Sequence, residues 1–210
     1  RHAASFRSFR LPGGDKAGRE PWRAAAALLW ETGADAPFAP APLHQAWAAR
    51  LNSPASSAVG RLFDAAAALA GVCTHASFEG EGPMKFEALA AASEGVAVPL
   101  PLARDALGIW RSDWAPLLPL LSNDALSVAE RAAAFHASLA QALVDQAVRL
   151  RDETGIATVG LTGGVFQNRV LAEAAIARLH AAGFAVHFPQ RLPVNDAGLS
   201  FGQIIEFLHQ

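Results

Sequence analysis

The sequence predicts an α/β protein: a helix-rich lobe with a small sheet that includes parallel strands. Three observations carry this reading. Hydrophobic residues fill 52% of the 210 positions, and many are alanine, the strongest helix former. Residues 127–154 hold a long one-faced apolar pattern behind a capping signal. A strand–helix–strand pattern with short links then runs over 156–188, which calls for parallel strands and a right-handed crossover.

The elements follow in order. Residues 1–20 are polar and glycine-bearing, and Pro12-Gly13-Gly14-Asp15 reads as a turn. Pro21 stands where a helix begins, because its missing N–H costs nothing in a first turn. The spacing predicts helices over 22–32, ended by Gly33, and over 42–51 after a proline-bearing loop. Residues 52–57 form a polar break. An apolar helix is expected over 59–70, closed by Gly71. The glycine-rich acidic stretch 77–83 leads into helical spacing over 84–93. Residues 98–124 carry several prolines and two tryptophans, Trp110 and Trp114, and read as an irregular segment anchored on the core.

Ser127 with Glu130 is a capping box. Phe135, Leu139, Leu143, Ala147 and Leu150 share one helical face, and Gly155 suits a left-handed cap. Strands are expected at 156–161 and 184–188, around a helix over 168–182. A last helix is expected over 198–208.

The formal net charge is −2, which disfavours a phosphate backbone as the main partner. Cys73 is the only cysteine, so an internal disulfide is excluded and a reducing, cytoplasmic setting is expected. No apolar run approaches a membrane span. The first residue is Arg1, not methionine, and a processed chain or a piece of a longer one is the expectation.

Three segments could carry chemistry. In Leu161 to Asn168 a strand ends, Gly163 and Gly164 follow, and a helix begins. Glycines let backbone approach a ligand, and a helix start attracts anions; a plain tight turn is the alternative. The glycine spacing of a dinucleotide fingerprint and the lysine of a P-loop are both absent. In Pro193 to Gly198, Asp196 is either a helix cap or a carboxylate at the mouth of the same sheet. In Gly60-Arg61-Leu62-Phe63-Asp64, Asp64 is either a first-turn acid or an acceptor for sugar hydroxyls, with Gly80 to Pro83 and Glu87 as companions.

In order and at similar separations, Gly-Arg-Leu-Phe-Asp at 60–64, Phe78-Glu79-Gly80 leading to Met84 and Leu89-Ala90, Gly-Gly-Val-Phe-Gln-Asn at 163–168 and Leu-Pro-Val-Asn-Asp-Ala-Gly-Leu-Ser-Phe-Gly-Gln at 192–203 resemble the C-terminal region of the HypF carbamoyltransferase family. Leu11 to Lys16, Arg19 to Arg23 and Phe135-His136 are similar too. The resemblance covers nearly the whole chain and implies an actin-like (ASKHA, RNase H-like) ATPase fold, with residues 1–210 as its C-terminal lobe. It implies an enzyme that makes carbamoyl-adenylate from carbamoyl phosphate and ATP. The carbamoyl group then passes to the C-terminal cysteine of a HypE-type partner, toward the cyanide ligands of nickel–iron hydrogenase. Carried over by position, Asp64 would contact the ribose with Gly82 and Glu87 nearby. Gly163, Gly164 and Asn168 would line the adenine and phosphate side. Asp196 would bind a divalent metal, iron or zinc, shared with a preceding lobe.

The sequence departs from that family in two places. No two of its histidines are four apart, whereas the family's metal site uses such a pair. Gly80 to Met84 reads Gly-Glu-Gly-Pro-Met. Two other functions therefore stay open: carbamoyl transfer to a sugar hydroxyl or tRNA, and a non-catalytic lobe that binds nucleotide weakly.

Overall fold

A computed structural model describes residues 1–209. The expected helices form as α1 (Trp22–Glu31), α2 (Ala41–Ala48), α3 (Val59–Leu69), α4 (Glu81–Ala90), α6 (Val128–Thr154), α7 (Arg169–Ala181) and α8 (Leu199–Leu208). Between α4 and α6 lies a short helix, α5 (Leu117–Leu121). The predicted parallel pair is present: β6 (Thr158–Gly160) runs parallel to β7 (Ala185–His187), with α7 as the crossover.

Two expectations need correction. The 98–124 segment is not irregular. It holds β4 (Leu102–Arg104), β5 (Trp110–Ser112) and α5, with prolines bracketing the strands rather than interrupting them. The polar N-terminal stretch also contains strands, β1 (Ala4–Phe6) and β2 (Phe9–Arg10), and the break at 52–57 contains β3 (Ala55–Ser56). Strand β1 pairs parallel with β5, and β5 pairs antiparallel with β4, while β2 and β3 pair antiparallel. Ala4 sits opposite Trp110, so the partner of this three-residue strand is remote in sequence. Trp114 does anchor the core: it is fully buried, and its indole N–H donates to the Arg7 carbonyl at 2.8 Å.

Alanine explains the packing of α1 on α3. Ala24 to Ala27 and Ala65 to Ala67 are all buried, and small side chains let two helix backbones approach closely. Long helix α6 runs through the centre. Its start is the predicted capping box: Ser127 Oγ accepts from the Glu130 amide, and the Glu130 carboxylate accepts from the Ser127 amide. Gly155 ends it at φ 74°. At its heart, Phe135 meets Phe63 of α3 and Phe86 of α4 edge-on, with ring centres 5.0 and 5.6 Å apart. Edge-to-face pairs add to the burial of each ring.

Helix α8 has no buried residue. Leu199, Phe201, Ile204, Phe207 and Leu208 are exposed along it. No helix among the described residues is long and apolar enough to cross a membrane.

Candidate functional site

Two of the three segments singled out in the sequence, 60–64 with its companions at 80–87 and 161–168, contribute to one cleft of about 590 Å³, while 193–198 lines a neighbouring groove. Gly60 and Arg61 reach it from the start of α3, Glu79 from the loop before α4, and Glu87 from α4. Gly164 and Asn168 close it from the turn before α7. Residues more than 100 positions apart thus share one wall.

The glycine turn separates this cleft from a second groove. Gly163 (φ 104°) lies in a region closed to most L-residues, and its amide donates to the Val194 carbonyl at 2.7 Å. It lines the second groove together with Thr162, Asn195, Asp196 and Glu206. Gly164 faces the first cleft, and a Cβ there would meet only Asn195 and Gln167, each at 3.9 Å.

Asn168 caps α7. Its Oδ1 accepts from the Leu171 amide at 2.9 Å, and its Nδ2 donates to Nε2 of His136 at 2.9 Å. Glu87 Oε1 accepts from the Arg169 amide at 2.7 Å. Two free N–H groups of the α7 start are therefore taken by the protein's own oxygens, and the anion-binding role expected of this helix start does not fall to them.

Asp64 lies below the cleft, 2% exposed, rather than on it. Arg61 Nη1 sits 3.0 Å from Asp64 Oδ2, an ionic contact whose direction leaves that oxygen without a well-aligned donor. Burial pushes the Asp64 carboxyl up to about 6; Arg61 opposes the rise and Glu79 adds to it. Arg61 and Glu79 line the cleft above it. Neither was singled out as a site residue, although Arg61 stands three residues before Asp64 on the same helical face.

Gly82 does not line the cleft either. It is buried, and a Cβ there would lie 3.3 Å from Ala67 Cβ and 3.5 Å from Cys73 Cβ. It is the contact point of α4 on α3.

Asp196 is exposed and opens a 3₁₀ turn over Asp196–Gly198. The cap of that turn is Asn195, whose Oδ1 accepts from the Ala197 amide at 3.1 Å. Among the described residues no three His, Cys, Asp or Glu side chains are grouped to hold a metal ion. This chain's donors alone therefore do not fit a metal site, since firm sites use several protein ligands.

Residues 1–203 match the family model described as "Carbamoyltransferase, Kae1-like Domain, second subdomain". The chain belongs to this HypF family. It is 43% identical to the carbamoyltransferase HypF of Rhodobacter capsulatus, over 93% of this chain and 26% of that protein. It is 37% identical to the carbamoyltransferase HypF2 of Cupriavidus necator, over 95% of this chain and 29% of that protein. A crystal structure of full-length HypF in its phosphate- and nucleotide-bound form superposes with a TM-score of 0.83 at 29% identity, covering 96% of this chain and 28% of that one. The chain thus spans between a quarter and a third of these relatives, and the helix-rich lobe with its small sheets is part of the HypF fold.

Proposed function

We propose that this chain is the C-terminal, adenosine-holding lobe of a HypF-type carbamoyltransferase. The observation that carries the reading is the convergence of the 60–64, 79–87 and 163–168 segments on one cleft, in a chain whose family includes a protein crystallised with phosphate and nucleotide. Carboxylates at Glu79 and Glu87 suit the two hydroxyls of a ribose, as acceptors of O–H donors. Arg61 supplies one positive charge, and Gly164 leaves room for a base or phosphate to approach backbone. The lining has no serine, cysteine, histidine or lysine. What it offers is binding and orientation.

In the complete enzyme the bound nucleotide is ATP, then carbamoyl-adenylate made from it and carbamoyl phosphate. The acceptor is the C-terminal cysteine of a HypE-type protein. Asp196 would give one ligand to a divalent metal whose other ligands would come from outside this chain.

The test has two parts. Calorimetric titration of the chain with adenosine and with ATP should give weak affinities of similar size, because the nucleoside end is the part gripped. A transfer assay to a HypE-type C-terminal cysteine should show no turnover by the chain alone, and turnover once it replaces the matching region of the Rhodobacter capsulatus relative. Absence of any nucleoside binding would overturn the assignment. Transfer by that chimera to a sugar hydroxyl or tRNA instead would move the acceptor while keeping the cleft.

A further inference from the structure

We infer that His136 is a positioning residue of this cleft: its imidazole holds the Asn168 side chain, and through it the glycine turn and the start of α7, against the nucleotide. The inference rests on the nucleotide reading above and adds to it a residue that touches no ligand.

His136 is 1% exposed, one turn past the start of the buried stretch of α6. Its ring sits among Phe63, Phe86 and Phe135, with centroids 5.0, 5.9 and 6.0 Å away. Nδ1 lies 2.7 Å from the Ala132 carbonyl. A carbonyl only accepts, so Nδ1 carries the proton and Nε2 is left as an acceptor. Nε2 in turn can be satisfied only by a donor, and Asn168 presents its NH₂ there at 2.9 Å. That choice turns Oδ1 of Asn168 toward the Leu171 amide, where it caps α7. The polarity therefore runs one way, from the α7 amide through Asn168 and the imidazole to the α6 carbonyl.

The arrangement fixes more than a cap. An N-terminal asparagine can cap a helix with its amide group free to swing out. Here the second half of the amide is tied to a ring clamped by three phenylalanines, so Asn168 cannot leave. Asn168 and Gly164 both line the cleft, four residues apart on one turn. Burial in the aromatic cluster lowers the imidazole's proton affinity. A second ring proton would set two N–H donors face to face, so the neutral form is the one that positions.

Two substitutions separate positioning from bulk packing. His136→Phe keeps a ring but removes the acceptor. His136→Gln places an acceptor near the position of Nε2. On the 210-residue chain, adenosine affinity by calorimetry should fall about tenfold in His136→Phe, the effect of leaving one buried donor unpaired, and His136→Gln should recover most of it. Amide hydrogen exchange over 163–171 should quicken in His136→Phe and not in His136→Gln. Nitrogen-15 NMR of the wild-type imidazole should show the proton on Nδ1. Asn168→Ser keeps a capping oxygen but gives up the amide, so adding His136→Phe to it should cost nothing more in affinity.

A folded His136→Phe with unchanged affinity and unchanged exchange over 163–171 would overturn the inference. So would a proton found on Nε2. If His136→Phe does not fold, the exchange and affinity of Asn168→Ser against His136→Gln decide. If wild type binds no adenosine, the nucleotide reading fails, and the exchange data still show whether His136 holds the turn.

Discussion

Asp64 and His136 give the chain opposed pH dependences at the scale of single residues. The Asp64 carboxyl is raised from 3.8 to about 6 by burial, ahead of the opposing Arg61. Between those values the folded state holds the proton more firmly than the unfolded chain does. Its contribution is therefore full below about pH 4 and is lost as pH rises through 6, by at most about 3 kcal/mol. His136 is lowered from 6.5 by burial, so folding loses stability as pH falls below 6.5, where the unfolded chain takes up the proton. Asp64→Asn should remove the first effect and expose the second. Urea unfolding of the variant should show stability rising from pH 4.5 to 7.5, while wild type stays flatter; equal profiles for the two proteins would refute the assignment. The glycine pair divides in the same way. Gly163→Ala should cost about 1–3 kcal/mol of stability, because φ 104° strains any Cβ. Gly164→Val should leave the unfolding midpoint nearly unchanged and weaken adenosine binding in calorimetry, because its side chain enters the cleft.

Helix α6 organises the lobe at the scale of elements. Gly95, after α4, lies against its backbone: a Cβ there would stand 2.1 Å from the carbonyl carbon of Ala133. No rotamer relieves a clash with main chain, so Gly95→Ala should destabilise by about 3 kcal/mol or more, measured as a fall in the denaturant midpoint. At the start of the same helix, Ser127→Ala removes the capping oxygen and should cost about 1 kcal/mol. Neither residue lines the cleft, so adenosine affinity per folded molecule should be retained in both variants.

On the proposed reading, the whole molecule is one wall of a site. Its cleft holds two carboxylates and one arginine, and its candidate metal ligand Asp196 stands apart in the neighbouring groove. Asp196→Ala, placed in the chimera with the Rhodobacter capsulatus relative, should lower metal content by elemental analysis. Its fold should be unaffected, since the adjacent cap belongs to Asn195. Metal content equal to the parent would remove Asp196 from the ligand set. The row of exposed apolar residues on α8 marks a second face on which this lobe has more apolar surface than its own core uses.

By itself the sequence determined the elements whose signals are local. The capping box at Ser127 and Glu130, the left-handed glycine after α6, and the crossover from β6 through α7 to β7 are all written within a few residues of where they act. So is the glycine turn, because a turn needs only its own backbone freedom. Strands β1 and β5 could not be read. Each is three residues long; β1 pairs with β5, more than 100 positions away, and β5 lies between β1 and β4. The same holds for side-chain roles. Asp64 and Gly82 carry the residue types a ligand site uses, yet packing of α3 against α4 puts both beneath the surface and leaves Arg61 and Glu79 at the cleft. Which atoms face solvent depends on what lies over them, and that is decided by elements distant in the chain, as His136 shows by meeting Asn168 across 32 positions.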